Sequence, residues 1–241
     1  MADLTAAGFL ARLDAHRSEE ERHKYRRYFP TAEDFIGVRM GTVFALAKEH
    51  VDMPLDEIEK LLESPAHEAR AGAVSIMAKQ AALKRTTDER RGQLYELYLR
   101  RHDRIDDWDL VDLGAWKVVG SYLQDRPRDV LYDLAASPNR WERRTAVLST
   151  LHFTVRGDVD DAFALASRLL DDEEDLVNKA TGWALREGGR QDRARLLAFL
   201  DAHAATMPRA TLRAAVEHLD PARRKHYLGL AKTTRARPAS G

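Results

Sequence analysis

The chain has 241 residues with 39 basic and 39 acidic side chains, so its formal net charge is zero. It has no cysteine, which excludes disulfides, thiolate zinc sites and cysteine nucleophiles. No apolar run reaches the roughly 18 residues of a membrane-spanning helix. The first 30 residues carry acids early and lack the apolar core of a secretory signal. We therefore expect a cytoplasmic protein, and the zero net charge argues against nucleic-acid binding unless the charges are segregated.

Helix-forming residues dominate the composition, because 36 Ala and 30 Leu stand against only 17 Val plus Ile. Apolar residues at spacings of three and four predict helices over 3–24, 39–50, 55–63, 66–84, 88–102, 107–123, 128–136, 139–153, 158–170, 174–187, 190–204 and 208–218. Gly188-Gly189 is interpreted as the stop of the helix over 174–187. These helices predict one domain over 1–225, followed by a basic, disordered tail over 226–241.

At four points in the sequence a basic residue precedes an apolar run. We interpret these four residues as occupying the same position in successive repeats. They are Arg70, Arg144, Lys179 and Arg213, separated by 74, 35 and 34 residues. Units of two helices with this period predict an all-α fold, an α-solenoid of HEAT-like repeats with a concave face. We expect these basic residues to line the concave face, while the acids of 171–175 lie on the back.

The segment WDLVD carries the best candidate for chemistry. Trp108 and Asp112 are four residues apart, which places an indole and a carboxylate on one helical face. The alternative is an ion-paired or capping Asp beside a packing Trp. One repeat further lies Arg144, and another repeat further lies Trp183. Together these four residues would form a cleft for a cationic ligand that touches a phosphate.

Five segments in order resemble the AlkD-type DNA alkylation repair proteins, which are bacterial DNA glycosylases built from HEAT-like repeats. The segments are FIGVRMGTVFALAKEH, SPAHEARAGAV, DDWDLVD, RWERRTAVLST and KATGWALRE, within residues 24–220. The resemblance implies a catalytic set of Trp108, Asp112, Arg144 and Trp183, with Arg143 as the alternative to Arg144. Three residues depart from the family pattern and could alter DNA contacts: Trp116, Lys117 and Asn178.

The resemblance also implies an activity. The chain would hydrolyse the N-glycosidic bond of cationic alkylpurines, such as 3-methyladenine and 7-methylguanine, in double-stranded DNA. Asp112 would stabilise the sugar cation, Trp108 and Trp183 would flank it, and Arg144 would hold a phosphate. We expect a monomer without cofactor or membrane association, located with the DNA in a bacterial cytoplasm. The alternative is a non-catalytic HEAT-like module that binds DNA structures or protein partners.

Further DNA contacts are expected from basic and aromatic side chains outside the catalytic set. They are Arg143, Lys179, Arg213, Arg70, Tyr25 and Arg27, although the end of an amphipathic helix explains Tyr25 and Arg27 equally well. The nine histidines include no HExxH pair, so no metal site is predicted. His67-Glu68 resembles a ligand pair, but packing or helix capping is the favoured interpretation.

Overall fold

A computed structural model describes residues 3–28 and 34–234, and the side chains of 26–28 and 231–234 lie outside that description. Apart from one bridge between Asp34 and Ala66, the regular structure of the described residues is helical. The helices form two compact units that divide between Tyr122 and Leu123. The all-α prediction is confirmed, while the solenoid, its concave face and the single domain over 1–225 stay predictions.

The first unit is built around one almost fully buried helix. Its elements are α1 (Ala6–Asp14), α2 (Glu19–Tyr28), α3 (Met40–Glu49), α4 (Leu55–Leu62), α5 (His67–Ala82), α6 (Asp88–Arg100), α7 (Trp108–Gly114) and a π-helical segment (Ala115–Gly120). Helix α5 packs against α3, α4 and α7, which leaves few of its residues in water. A helix covered on all sides needs small or apolar residues around its whole circumference, as in the sequence AGAVSIMA.

The second unit has a similar central helix. Its elements are α8 (Asp129–Ala135), α9 (Arg140–Ser149), α10 (Leu151–Thr154), α11 (Asp160–Arg168), α12 (Asp175–Gln191), α13 (Arg193–His203), α14 (Arg209–Ala215) and α15 (Pro221–Thr234). Helix α12 packs against α9, α11, α13 and α14. Among the described residues, no helix is both long enough and apolar enough to cross a membrane.

Several helix boundaries differ from the prediction, and the helices predicted over 107–123 and 139–153 are each divided in two. Two further differences have a clear cause in the contacts. The helix predicted over 3–24 is divided into α1 and α2. Ser18 lies between them, directly before the first residue of α2. The Ser18 N–H donates to the Gly37 carbonyl (3.0 Å), and the Ser18 hydroxyl accepts from the Glu21 N–H (3.3 Å) at the start of α2. The stop predicted at Gly188-Gly189 is also wrong, since α12 continues to Gln191.

The glycine pair is required by packing rather than by a helix end. A Cβ on Gly189 would lie 2.2 Å from Leu196 Cδ2 of α13, which is far inside van der Waals contact. Gly188 is likewise buried, against the ring of Phe163 in α11. The two glycines therefore allow α11 and α13 to approach α12 closely.

The start of the predicted tail is also corrected. Helix α15 runs across position 225 to Thr234, so residues 226–234 are helical rather than disordered. Tyr227 holds the helix in place, because its ring is buried and its hydroxyl donates to Asp201 (2.7 Å). The rest of the predicted tail, residues 235–241, lies outside the described residues.

Candidate functional site

A pocket in the first unit contains two of the four predicted catalytic residues. It has a volume of about 490 Å³ and is lined by Tyr25, Met40, Phe44, Trp108, Asp109, Asp112 and Leu113. Trp108 opens α7 and is 38% exposed, so a ligand in the pocket could reach its indole. Asp112 follows one helical turn later and is half-buried. The pocket thus combines an aromatic, largely apolar wall with carboxylates.

The wall opposite α7 depends on Tyr25 of α2. Its hydroxyl donates to the Val38 carbonyl (3.0 Å) and accepts from the Met40 N–H (3.1 Å), while its ring stacks on Phe35 (5.2 Å between centroids). Burial raises the pKa of Tyr25, so the phenol stays protonated and can donate. The hydroxyl of Tyr25 is thus bound at the loop 35–39 and at the start of α3, and its ring lines the pocket.

Glu68 holds the same loop from the other side. Its carboxylate is fully buried and accepts from the backbone N–H groups of Ile36 (3.0 Å), Gly37 (2.8 Å) and Val38 (3.1 Å). Gly37 has a φ of 92°, and a Cβ there would lie 2.1 Å from the Ser18 carbonyl oxygen. Only glycine fits this turn. The packing interpretation of Glu68 thus agrees with its position, and its specific partner is the loop that carries the pocket wall.

His67 lies beside Glu68 and contacts the other wall. Its Nε2 is 2.8 Å from Asp109 Oδ2, its side chain is 1% exposed, and its ring lies 5.1 Å from Phe35. Because a carboxylate only accepts, His67 Nε2 carries the proton. Asp109 Oδ1 accepts from the Leu110 N–H (2.9 Å), so both carboxylate oxygens are engaged.

The same place holds the one group of possible metal ligands found among the described residues. Atoms of His67, Asp107 and Asp109 lie within 4.8 Å of one another. Burial, reinforced by the charges of Asp109 and Asp106, raises the pKa of Asp107. One carboxylate oxygen of Asp107 already accepts from the Trp108 N–H (2.7 Å) at the start of α7. The hydrogen bonds explain all three side chains, and the absence of a metal stays a prediction.

Helix α7 changes its winding directly after the pocket residues. From Ala115 to Gly120 the backbone is π-helical, a form that often occurs at functional sites. Trp116 lies in this segment, and the Lys117 ammonium lies 5.3 Å from its ring centroid. These two departures from the family pattern thus pair with each other.

The other two predicted catalytic residues lie in the second unit. Arg144 of α9 is 5% exposed and donates to the Leu176 carbonyl at the start of α12. Trp183 is half-buried on α12, seven residues beyond Leu176, which is about 10 Å along a helix axis. Arg144 and Trp183 therefore lie on two helices that pack against each other, α9 and α12.

Arg70 and Arg143, two of the predicted DNA contacts, both bind backbone carbonyls of the turn that precedes their own helix. The Arg70 Nη1 donates to the Pro65 carbonyl (2.9 Å), and the Arg143 Nη1 donates to the Pro138 carbonyl (3.0 Å), in each case five residues earlier. Arg70 is 8% exposed, and Arg143 also pairs with Asp172 (2.6 Å). Both arginines tie a helix to the Ser-Pro turn before it, and their role as DNA contacts stays a prediction.

This bonding pattern also corrects the repeat register. Arg70 is equivalent to Arg143 rather than to Arg144, because each reaches the Ser-Pro turn of its own repeat. Asn178 takes the same place in the next repeat, where its Nδ2 donates to the Asp172 carbonyl (2.9 Å) six residues earlier. The departure noted at Asn178 is therefore a substitution in this turn-binding position. Arg144 and Lys179 remain equivalent, since each follows it by one residue.

The predicted segregation of acids from bases is wrong within the second unit. Asp172 pairs with Arg143 (2.6 Å), Asp175 with Lys179 (2.6 Å) and Glu174 with Arg140 (3.3 Å). The acidic run lies at the start of α12, directly beside these basic residues. In this region acidic and basic side chains are therefore paired with each other.

The remaining predicted contacts differ in accessibility. Lys179 is 58% exposed, and Arg213 of α14 is exposed. The side chain of Arg27 lies outside the described residues. Four further residues line the pocket that the sequence did not predict there: Met40, Phe44, Asp109 and Leu113. Phe44 lies within the helix predicted over 39–50, and Asp109 lies within the WDLVD segment.

Comparison with known proteins agrees with this architecture. The model of the DNA alkylation repair enzyme family matches residues 9–219. A solved structure described as a predicted DNA alkylation repair enzyme from Enterococcus faecalis has a TM-score of 0.68 at 20% identity, covering 86% of this chain and 98% of that one. No curated protein matches. The structural likeness supports the fold, and the family match covers most of the chain, including both WDLVD and GWALRE. The chain therefore belongs to the DNA alkylation repair enzyme family, which supports a role in the repair of alkylated DNA.

Proposed function

We propose that the chain is a monofunctional DNA glycosylase that releases cationic alkylpurines, such as 3-methyladenine and 7-methylguanine, from double-stranded DNA. The observation that carries the proposal is the pocket where the exposed indole of Trp108 and the carboxylate of Asp112 meet on one face of α7. Aromatic faces and carboxylates both attract positive charge. A cationic reactant fits such a pocket better than an anionic one.

The chemistry needs few protein groups. Alkylation makes the purine positively charged, so the base leaves as a neutral molecule with the electron pair of the broken C–N bond. The sugar becomes an oxocarbenium-like cation, as in glycoside hydrolysis. Asp112 stabilises this cation and orients a water, whose oxygen bonds to C1′ while its proton passes to Asp112 or to solvent. Trp108 contributes cation–π attraction of about 0.5–2 kcal/mol.

The second unit contributes to DNA binding in this proposal. Lys179 and Arg213, both exposed, contact phosphates. Trp183 flanks the sugar and backbone, and Arg144 holds a phosphate near the lesion. Because Arg144 is 5% exposed and bound to the Leu176 carbonyl, its side chain has to turn outwards when DNA binds.

The test is base release from methylated double-stranded DNA. Wild-type protein is expected to release 7-methylguanine, and Asp112→Asn is expected to lower the rate about 100- to 1,000-fold, as for loss of a group that stabilises transition-state charge. Asp56→Asn, on the exposed first turn of α4, makes the same charge change in the same unit and should retain the wild-type rate. Wild-type protein that binds the DNA but releases no base would instead support the non-catalytic module.

A further inference from the structure

His67 connects the two walls of the pocket without lining it. Its Nε2 donates to Asp109 Oδ2 (2.8 Å) on the α7 side, and its ring packs on Phe35 (5.1 Å). Phe35 in turn stacks on Tyr25 (5.2 Å), the aromatic residue of the opposite wall. Asp109 and Tyr25 thus both line the pocket, and His67 is buried behind them.

The hydrogen bond between His67 and Asp109 contacts the first turn of α7, which carries the residues of the proposed chemistry. Asp109 lies between Trp108 and Asp112 in the first turn of the helix. Because its Oδ1 accepts from the Leu110 N–H (2.9 Å), the bond from His67 fixes a carboxylate that is also bound to the helix backbone. Movement of Asp109 would therefore rotate or shift the turn that carries the indole and the reacting carboxylate.

The backbone of His67 is also anchored. Its N–H donates to the Asp34 carbonyl (2.9 Å) at the start of α5, the central helix of the unit. The neighbouring Glu68 holds residues 36–38, so both residues of the pair fix the same loop and pocket. The imidazole therefore projects from a rigid support.

We propose that His67 is a positioning residue, which sets the first turn of α7 through Asp109 and so places Trp108 and Asp112 for the reaction. A catalytic group tolerates little displacement, since an error of about 1 Å can cost about 100-fold in rate. The activity readout of this inference rests on the proposed function, whereas its spectroscopic readout does not.

Three substitutions of His67 separate positioning from packing. Gln can place an amide nitrogen close to the position of the imidazole Nε2, Asn ends one bond shorter, and Ala removes the group. His50 provides a matched control, because it is also 1% exposed, bonds a backbone carbonyl through Nδ1 (2.8 Å) and packs on Phe9 (5.0 Å) in the same unit. His50→Ala removes a buried imidazole that contacts no pocket residue among its described partners.

The first readout is single-turnover release of 7-methylguanine together with the DNA dissociation constant. His67→Ala and His67→Asn are expected to lower the rate about 10- to 100-fold, with the dissociation constant within about threefold of wild type. His67→Gln should recover the rate to within about threefold, and folded His50→Ala should retain it. Because Asn and Gln are both polar, their comparison decides the matter even if His67→Ala does not fold.

The second readout is the ¹⁹F spectrum of full-length protein labelled with 5-fluorotryptophan, in which Trp108 is assigned by the signal lost in Trp108→Phe. The Trp108 signal should shift or broaden in His67→Asn and return in His67→Gln, while His50→Ala leaves it unchanged. Equal rates and equal Trp108 signals in Asn, Gln and wild type would overturn the inference. If wild-type protein releases no base but the Trp108 signal follows this order, the proposed function fails and the positioning role stands.

Discussion

At the scale of single residues, Glu68 is a fully buried carboxylate that three backbone N–H groups hold. Such bonds to an ion are stronger than neutral ones, and their loss would leave a buried donor unsatisfied. The loop they fix also binds the Tyr25 hydroxyl, which positions one wall of the pocket.

Glu68→Gln is therefore expected to lower the free energy of unfolding by about 3 kcal/mol. Urea denaturation measures this change, and the exposed Glu89→Gln in the first turn of α6 serves as the control, with an expected change below about 0.5 kcal/mol. A Glu68→Gln protein as stable as the control would contradict the role assigned to this carboxylate.

The Trp108 and Asp112 pair is the part of the site that the sequence predicts best. A spacing of four residues places two side chains on one face by helix geometry alone. The opposite wall comes from Tyr25, Met40 and Phe44, far earlier in the chain. No local pattern of one sequence reports which distant helices meet, so these residues could not be assigned to the pocket.

At the scale of elements, close packing explains why Gly188-Gly189 lies inside α12 and not at its end. A glycine pair after an apolar run has the local signature of a helix end. The structure needs the same residues inside the helix, because Leu196 occupies the space of a Gly189 side chain. Local propensity is overridden here by tertiary contact, which only a three-dimensional arrangement reveals.

The effect of a Gly→Ala substitution on stability should therefore depend on whether the added Cβ meets a neighbouring atom. Gly189→Ala is expected to destabilise the protein by about 1–3 kcal/mol through overpacking. Gly41→Ala in α3 should instead stabilise it by about 0.5–1 kcal/mol, because no atom lies within 4 Å of the added Cβ. Thermal or urea unfolding compares the two, and a stabilising Gly189→Ala would contradict the packing of α12 against α13.

The contact between α15 and α13 is expected to make the free energy of unfolding depend on pH in the alkaline range. Burial, together with the hydrogen bond to Asp201, raises the pKa of Tyr227 to about 12. An unfolded tyrosine has a pKa near 10. The stability from this phenol is therefore fully present below about pH 10 and is lost as pH rises towards 12.

The expected result is a steeper loss of unfolding free energy between pH 9 and about pH 11 in wild type than in Tyr227→Phe. Denaturation at both pH values measures it for each protein. Tyr132, whose hydroxyl donates to Asp161 (2.5 Å), has a pKa raised to about 12 for the same reasons and supplies a second case. Parallel pH profiles for wild type and Tyr227→Phe would show that the Asp201 bond does not hold the helix.

At the scale of the whole molecule, the acidic run before and at the start of α12 pairs with basic residues that neighbour it in the second unit. Arg143 and Lys179 both pair with acids of the α12 start, although only Lys179 is mainly exposed. The pattern of a basic residue before an apolar run could not separate these roles. Arg143 and Arg144 are adjacent in the sequence, and only the hydrogen bonds of the structure show that Arg143 is the one that binds the Ser-Pro turn.

Lys179→Ala and Arg213→Ala should each weaken binding to double-stranded DNA and reduce the slope of log affinity against log salt by about 1. Arg143→Ala should instead lower stability, because it leaves the 4%-exposed Asp172 carboxylate without this partner. Titrations at several salt concentrations, with unfolding measured in parallel, distinguish these effects. An unchanged slope in both exposed variants would remove them from the DNA interface.

The role of Asp112 is tested by single-turnover release of 7-methylguanine by wild type and Asp112→Asn, with DNA binding measured on the same samples. Wild type is expected to release the base, and Asp112→Asn is expected to release it at a rate about 100- to 1,000-fold lower at an equal bound fraction of DNA. Equal release rates for the two proteins, with both folded and bound, would contradict the role of Asp112 and of the pocket on α7.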